Sequence, residues 1–273
     1  MRIILAEYVP EEIVGALAAT AEARGVFGAR LFYATEVTST SDLAIAAAER
    51  GDPEGTTFVA GAQTAGRGRL GRAWFSPPGA GLYISTIVRR RAVAPWLTLA
   101  GGVAVAEGIR AATGLPLQIK WPNDIVAVGG GGFRGRRKLA GILAEASTGA
   151  DGLNYIVLGM GINLRNASFP PELGDRATSI EIELGRDADG GLVLAHVLAS
   201  LNRALATIET SGPAALLQQW TALAPSATGA PIEFDGPTGR ETGVTAGLGE
   251  DGALLARTPR GLARIIAGEV RWV

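Results

Sequence analysis

Residues 56–88 read TTFVAGAQTAGRGRLGRAWFSPPGAGLYISTIV, in which two apolar, β-branched runs enclose a loop of glycines and arginines. The runs 56–60 and 82–88 are typical of strands, so we expect the loop to be held between two strands. Because glycine leaves the backbone free to bend, guanidinium groups and exposed amide N–H groups of the loop can converge on one anion. The pattern predicts a site for a phosphate-bearing ligand.

The positive charge of this region is local. Arg67, Arg69 and Arg72 lie in the loop and a further arginine run occupies 89–91, whereas no Asp or Glu occurs between positions 55 and 106. The whole chain carries a formal net charge of only −1, with a sequence pI near 6.0. A nucleic-acid-binding domain usually has a pI above about 9. A small anion therefore fits the pattern better than a polymer.

The composition is that of a globular protein and excludes several kinds of site. The chain has 273 residues, of which 47% are hydrophobic, enough for one large domain or a large domain and a small one. It has no cysteine and a single histidine, His196, which excludes disulfides, thiol nucleophiles and multi-histidine metal sites. No uncharged apolar run of about 18 residues stands out from ordinary core segments. We expect a cytoplasmic protein without a membrane span.

Helices and strands succeed one another around the loop. A helix is predicted over 43–51, with Ser or Thr N-caps before it and a glycine at its end. Apolar spacing predicts further helices over 96–112, 192–209 and 213–223, and strands over 117–121, 139–145 and 155–158. The mixture predicts an α+β protein.

The pattern of the sequence changes after Ala224. Short β-like runs separated by glycine occupy 231–234, 243–248, 253–256, 262–267 and 269–273. Such runs predict a small barrel. We therefore expect a catalytic domain over 1–224 and a second domain over 225–273. The first thirty or so residues are too few for a DNA-binding head with its own core, so no DNA binding is expected.

The loop formally satisfies the dinucleotide-binding fingerprint G-x-G-x-x-G over Gly66–Gly71. That fingerprint opens a helix and is followed by an acid about 20 residues later. Here Phe75–Gly79 contains two prolines, and no acid appears before Glu107. The dinucleotide interpretation is therefore disfavoured. A solvated turn explains the glycines but not the arginines beside Trp74.

A second motif, Lys120-Trp121-Pro122-Asn123-Asp124, follows a predicted strand. Asn123 and Asp124 offer oxygen atoms for Mg²⁺ and Lys120 offers a cation, a set that suits a metal–phosphate group. An Asn-Asp turn is an equally good interpretation, because both residues favour turns by bonding to their own backbone.

A third motif starts at Lys138, which opens the apolar strand Leu139–Glu145 after the glycine-rich segment Gly129–Gly135. A lysine that enters a buried strand is costly unless it meets an anion. The alternative is a lysine at the mouth of the strand whose amine reaches water.

Together with Ser39-Thr40-Ser41 and Gly159–Asn163, these motifs resemble the biotin protein ligases over about residues 33–273. Members of that family carry Ser-Thr-Asn, Gly-Arg-Gly-Arg-x-Gly-Arg-x-Trp, Lys-Trp-Pro-Asn-Asp, Lys-x-x-Gly-Ile-Leu and Gly-x-Gly-Ile-Asn. Ser41 stands where Asn is usual. The resemblance implies a class II synthetase-like mixed sheet flanked by helices, followed by a small C-terminal SH3-like β-barrel. It also implies a short form without the N-terminal repressor domain.

The resemblance implies roles for particular residues. Biotin would be bound by Ser39, Thr40, Ser41, Gln63, Gly68, Lys138 and Gly141. ATP and the adenylate would be bound by Arg67, Arg69, Arg72, Trp74, Lys120, Asn123 and Asn163. Arg67, Arg69, Lys138 and Asp124 would be catalytic, with Asp124 also serving Mg²⁺.

The implied reaction activates biotin with ATP to biotinyl-5′-AMP and transfers biotin to a lysine of a biotin carboxyl carrier protein. A lipoate or octanoate ligase is the nearest alternative, and a non-enzymatic RNA-binding module is an alternative of another class. Lipoate would leave the polar Ser-Thr-Ser and Gln63 groups unpaired, and RNA binding calls for more stacking aromatics than the 6% found here. The sequence leaves the oligomeric state open, a homodimer included.

Overall fold

The computed structural model describes residues 9–128, 135–150, 152–236 and 239–273. The strands of its larger sheet are β1 Leu31–Ala34, β2 Thr57–Ala60, β3 Gly81–Val88, β4 Gln118–Lys120, β5 Asp124–Val128, β6 Arg136–Gly149 and β7 Gly152–Asn163. They are ordered β1-β2-β3-β7-β6-β5-β4. β1 and β2 are parallel, and the other neighbours in this order are antiparallel. The sheet is therefore mixed.

Helices cover the two faces of this sheet unequally. They are α1 Glu11–Ala19, α2 Ala21–Arg24, α3 Thr40–Glu49, α4 Leu97–Thr113, α5 Ile180–Leu184, α6 Gly190–Ser211 and α7 Pro213–Leu223. α4 and α6 bury their apolar residues with one face of the sheet in the main core. α3 packs Ala44, Ala47 and Ala48 on the opposite face, against Phe58 and Ile87. The rest of that face is left for a binding site.

Two helical segments, Arg91–Thr113 and Gly190–Ser211, are long and apolar enough to cross a membrane. In each segment, 67% of the most apolar 18-residue stretch is buried inside the protein. They pack so closely that a Cβ at Gly108 would lie 2.5 Å from the Cα of Val197. Their apolar composition is thus used in the protein core.

A separate antiparallel sheet forms the C-terminal part. Its strands are β8 Thr228–Gly236, β9 Gly239–Leu248, β10 Leu254–Thr258, β11 Gly261–Ile265 and β12 Val270–Trp272. The order is β11-β10-β9-β8-β12. The Nε1–H of Trp121, next to β4, donates to the carbonyl of Gly252 over 3.1 Å, which ties the two sheets together. The division into 1–224 and 225–273 stays a prediction.

The predicted α+β class and the small C-terminal β unit are confirmed. The strands predicted over 139–145 and 155–158 lie within longer strands, β6 and β7. The ends of these strands were missed because they lack a continuous apolar run in the sequence. β1, β5 and α1 were not predicted. The segment Gly129–Gly135, apart from Gly135, lies outside the described residues.

Replacing Gly108 with Ala tests the contact between α4 and α6. The new Cβ would meet backbone atoms of Val197 at 2.5 and 2.7 Å, so the helices must separate. We expect a loss of about 1–3 kcal/mol in the free energy of unfolding, measured by urea denaturation. Gly15→Ala in α1 is the control, since its Cβ would meet nothing within 4 Å. It should be neutral or stabilising, and equal losses in both variants would contradict the tight contact.

Candidate active site

The glycine and arginine loop folds as a tight hairpin, which we call the arginine hairpin (Gly66–Trp74). The amide of Gly68 donates to the carbonyl of Arg72 over 2.7 Å, and the amide of Trp74 donates to that of Gly66 over 2.8 Å. The turn is made by Leu70 and Gly71, with φ values of 58° and 72°. Such a turn requires positive φ at both central residues, a conformation that costs a leucine energy.

The hairpin is seated on the sheet by the indole of Trp74. Gly141 of β6 and Gly161 of β7 are directly paired across the two strands. A Cβ at Gly161 would lie 2.5 Å from the indole, and one at Gly141 would lie 3.0 Å from it. The two glycines therefore make a depression that the tryptophan fills, on the face of the sheet opposite α4.

A small polar cleft lies on one side of this indole, and we call it the inner cleft. It is lined by Ser39, Thr40, Ser41, Gln63, Arg67, Gly68, Arg69, Trp74, Tyr83, Ile84, Ser85, Asn123, Lys138, Gly141, Ile142, Leu143, Gly159, Met160 and Gly161. Its floor is a network of hydroxyl and amide groups at the N-terminus of α3. The hydroxyl of Thr40 lies 3.1 Å from the Oε1 of Gln63 and 2.8 Å from the hydroxyl of Ser85.

Hydrogen bonds within the protein hold the floor in place. The backbone amide of Thr40 also donates to the Oε1 of Gln63 over 2.9 Å, and the Nε2 of Gln63 donates to Ser76 over 2.9 Å. Ser39 caps α3 by accepting from the amide of Ser41, whose own hydroxyl lies 3.2 Å from that of Ser85. Buried polar groups are usually paired in this way. The network holds donors and acceptors in set positions facing the cleft.

Arg67 is paired to two carboxylates. Its guanidinium contacts Asp42 in the first turn of α3, and its Nη2 donates to Glu145 of β6 over 3.1 Å. Burial alone would lower the pKa of Arg67, but the hydrogen bonds to Asp42 and Glu145 outweigh it and the pKa is raised. Arg67 thus fastens one arm of the hairpin to the sheet and to α3.

Lys138 and Arg69 meet at the junction between the inner cleft and a second cavity. The Nζ of Lys138 lies 2.7 Å from the Oδ1 of Asp124 and 5.1 Å from the centre of the Trp74 ring. The Nη1 of Arg69 donates to Asn123 over 3.0 Å. Burial lowers the pKa of Arg69, an effect that Asp124 opposes. The anion that Lys138 requires is therefore supplied by the protein itself.

The second cavity, called the outer cavity, lies on the other side of the Trp74 indole. It is lined by Lys138 and by residues from segments 68–75, 120–124, 163–177 and 268–270. Its open space is about 1340 Å³, against about 480 Å³ for the inner cleft. The outer cavity is thus the larger of the two spaces.

Both parts of the chain contribute to the outer cavity. The Nζ of Lys120 lies 4.9 Å from the centre of the Trp272 ring, and burial lowers the pKa of this lysine. Asn163 is buried and its Nδ2 donates to the carbonyl of Thr178 over 2.9 Å. Arg72 reaches across to Glu269 of the C-terminal part. A ligand that fills the outer cavity would therefore contact residues of the C-terminal part.

Among the described residues, no group of three or more His, Cys, Asp or Glu side chains is placed to hold a metal ion. Asp124 is a single carboxylate, engaged by Lys138. Mg²⁺ is often bound through one or two carboxylates together with substrate phosphates.

Comparison with known proteins identifies the family of this chain. Residues 32–163 match the model of the biotin/lipoate A/B protein ligase family. The chain is 35% identical over 250 residues to the bifunctional ligase/repressor BirA of Bacillus spizizenii, covering 90% of this chain and 74% of that protein. The chain belongs to the biotin protein ligase family. The biotin--[acetyl-CoA-carboxylase] ligase of Paracoccus denitrificans is 34% identical over 217 residues, covering 76% of this chain and 86% of that one.

Solved structures of this family agree with the fold. The biotin protein ligase from Aquifex aeolicus in complex with biotin and ATP superposes with a TM-score of 0.74 at 31% identity, covering 90% of this chain and 99% of that chain. The family resemblance seen in the sequence motifs is thereby confirmed.

The structure brings the motif residues together, with some differences from expectation. Residues of the three motifs and of the Ser-Thr-Ser element line the two joined spaces. Gly141, expected to let biotin approach, lines the inner cleft and also receives the Trp74 indole. Asn123 lies in a turn, as one of the two interpretations of the second motif expected, and Asp124 opens β5. The roles assigned to individual residues stay predictions.

Sequence reasoning missed several residues of the site. Ser85 is a polar residue at the centre of the apolar strand β3, and that position was the available signal. Gly161 belongs to a motif that was recognised but was given no function. Asp42, Glu145 and Glu269 could not be found, because their partners are arginines 25, 78 and 197 positions away.

Gly161→Ala tests the seat of Trp74. The added Cβ would collide with the indole, so we expect Trp74 to move into solvent and its fluorescence emission to shift to longer wavelength. In a Trp74→Phe background the shift should vanish, which separates Trp74 from the other tryptophans. Gly159→Ala is the control, since its Cβ would find no atom closer than 3.4 Å. Unchanged emission in Gly161→Ala would contradict the seat.

Proposed function

We propose that the chain is an ATP-dependent biotin protein ligase that makes biotinyl-5′-AMP and transfers biotin to a lysine of a biotin carboxyl carrier protein. The observation that carries the proposal is the pair of joined spaces with Lys138 and Arg69 at their junction. A small polar cleft suits the ureido ring of biotin, and the larger cavity suits ATP. Relatives whose names give this activity, and a similar structure with biotin and ATP, support it.

The floor of the inner cleft offers what a ureido ring needs. The ring presents one carbonyl acceptor and two N–H donors, and the floor presents the hydroxyls of Ser39, Thr40, Ser41 and Ser85. Hydroxyls can donate or accept, so the network can turn to match the ring. Ser41 replaces the usual asparagine with a shorter side chain, and Ser85 lies 3.2 Å from it. We infer that the hydroxyls of these two serines together replace the side-chain amide of that asparagine.

The reaction needs positioning and neutralisation of charge, with no protein nucleophile. The carboxylate of biotin attacks the α-phosphate of ATP and pyrophosphate leaves; the amine of the acceptor lysine then attacks the mixed anhydride and AMP leaves. Lys138 and Arg69 lie where the two substrates meet, and fixed cations there stabilise the charge that develops. Asp124 would hold a Mg²⁺ ion, which would supply further positive charge on the ATP side.

The other residues have supporting roles in this proposal. Trp74 packs along the adenylate, and Lys120, Arg72, Asn123 and Asn163 contact the nucleotide from the outer cavity. Gln63 holds the floor of the inner cleft, and the backbone of Gly68 closes over biotin. Arg67, already paired to two carboxylates, acts mainly by holding the hairpin down. The cytoplasmic location, the homodimer and the absence of DNA binding stay predictions.

The alternatives fit the site less well. Lipoate and octanoate have an apolar chain that would leave the hydroxyls of Thr40, Ser41 and Ser85 without ligand partners, and a site built for hydrogen bonds rejects ligands that lack them. An RNA-binding module requires a charged groove with stacking aromatics. Here each loop arginine has a protein partner, and Trp74 is the single aromatic residue of the hairpin segment Gly66–Trp74.

Exchange of labelled pyrophosphate into ATP tests the proposed function. The purified chain should support exchange with biotin and Mg²⁺ and should show little or none with lipoate or octanoate. Lys138→Ala should lower the rate about ten- to a hundredfold, because a charge-assisted contact to the reacting groups of about 1.5–3 kcal/mol is lost.

Arg137→Ala is the matched control, because the neighbouring Arg137 pairs with Glu183 over 2.8 Å and does not line either space. It should leave the exchange rate near that of the parent. Exchange that depends on lipoate and ignores biotin would refute the proposed function. If the Lys138→Ala variant catalyses exchange at the parental rate per folded molecule, Lys138 has no role in the reaction.

A further inference from the structure

The arginine hairpin is tied to the C-terminal sheet by an ion pair. The Nη2 and Nη1 of Arg72 donate to the two carboxylate oxygens of Glu269 over 2.7 and 3.4 Å, a fork-to-fork geometry. Glu269 directly precedes β12, and the Nη2 of Arg271 donates to it over 2.9 Å. Hydrogen bonds from Arg271 and Arg72 lower the pKa of Glu269 to about 2. The carboxylate is thus ionised over the ordinary pH range.

The three arginines of the hairpin are fastened to three different places. Arg67 pairs with α3 and β6, Arg69 donates to Asn123 before β5, and Arg72 pairs with the C-terminal sheet. The first two contacts hold the base and one arm of the hairpin on the larger sheet. The Arg72 contact bridges the outer cavity, since Arg72 and Glu269 both line it.

The tip of the hairpin has little packing of its own. Leu70 is 69% exposed despite its apolar side chain and its positive φ of 58°. A Cβ at Gly71 would meet no atom within 4 Å. Because van der Waals contacts contribute little there, an ion pair next to the turn has a comparatively large effect on whether the tip stays in place.

We propose that Glu269 is a positioning residue, which holds the arginine hairpin across the outer cavity through Arg72 before any ligand binds. The C-terminal sheet would then take part in retaining the nucleotide-bound intermediate by fixing the hairpin, with no contact between Glu269 and the reacting atoms. The part about the intermediate rests on the proposed function; the part about the hairpin does not. Exposed ion pairs are usually weak, but the fork geometry and the second arginine on Glu269 favour a measurable effect.

Hydrogen exchange of the ligand-free chain, followed by mass spectrometry of peptides over 66–74, tests the hairpin part. Glu269→Gln should raise exchange of the hydrogen-bonded amides of Gly68 and Trp74 by about two- to fivefold, the size expected for one exposed ion pair. Arg72→Gln should do the same, and the double variant should exchange no faster than either single one. Peptides from β9 should be unchanged, which shows that the C-terminal sheet is intact.

Asp251→Asn is the matched control, because it removes an exposed ion pair with Arg264 (2.6 Å) within the C-terminal part. It should leave exchange over 66–74 at the parental rate. Faster exchange in this control, additive effects of Arg72→Gln and Glu269→Gln, or parental exchange in both would each overturn the proposal.

A second readout concerns the intermediate. Glu269→Gln should release biotinyl-5′-AMP about two- to fivefold faster by stopped-flow fluorescence while the Kd for biotin stays at the parental value. Equal loss of biotin affinity would indicate a structural effect and overturn the positioning role. If the chain makes no biotinyl-5′-AMP but the exchange result holds, the proposed function fails and the hairpin contact stands.

Discussion

The site depends on one packing contact, the indole of Trp74 in the depression left by the glycine pair Gly141 and Gly161. Any side chain at Gly161 would fill that depression, since a Cβ there already lies 2.5 Å from the indole. The contact fixes the end of the arginine hairpin on the sheet and divides the space above it. The division gives a small polar cleft on one side and a large cavity on the other. Under the proposed function, biotin and ATP would occupy these two spaces, with Lys138 next to the ring between them.

Charge pairing within the protein shapes this site as much as packing does. Arg67, Arg69, Arg72 and Lys138 each have an oxygen partner in the protein. Desolvating these cations without partners would be costly, and the pairs leave them in defined positions. A phosphate that enters must compete with Asn123 and Asp124 for Arg69 and Lys138. A ligand phosphate would therefore replace protein oxygens as the partner of these two cations.

The sequence predicted the site well wherever the signal was local. The loop between two strands, the N-cap of α3 at Ser39 and the helix Pro213–Leu223 follow from residues close in the chain. The sequence did not predict which residues are paired between neighbouring strands. Asp124 lies opposite Gly141 in the register of β5 and β6, which puts it beside Lys138, and no spacing rule gives that register. Glu269 was missed because it lies 197 residues from Arg72 in the chain.

The central claim, that Trp74 divides the site into a ring-binding cleft and a nucleotide-binding cavity, is tested most directly by calorimetric titration of Trp74→Ala. Biotin and a non-hydrolysable analogue of biotinyl-5′-AMP would be titrated separately into the parent and the variant. Loss of one stacking contact of about 1–3 kcal/mol should raise the Kd of the adenylate analogue about five- to 150-fold. The Kd of biotin should change less, because the indole is only one wall of the inner cleft and the polar contacts to the ring come from the floor formed by Thr40, Gln63 and Ser85. Equal losses for both ligands would contradict the division, and so would an unchanged affinity for the analogue.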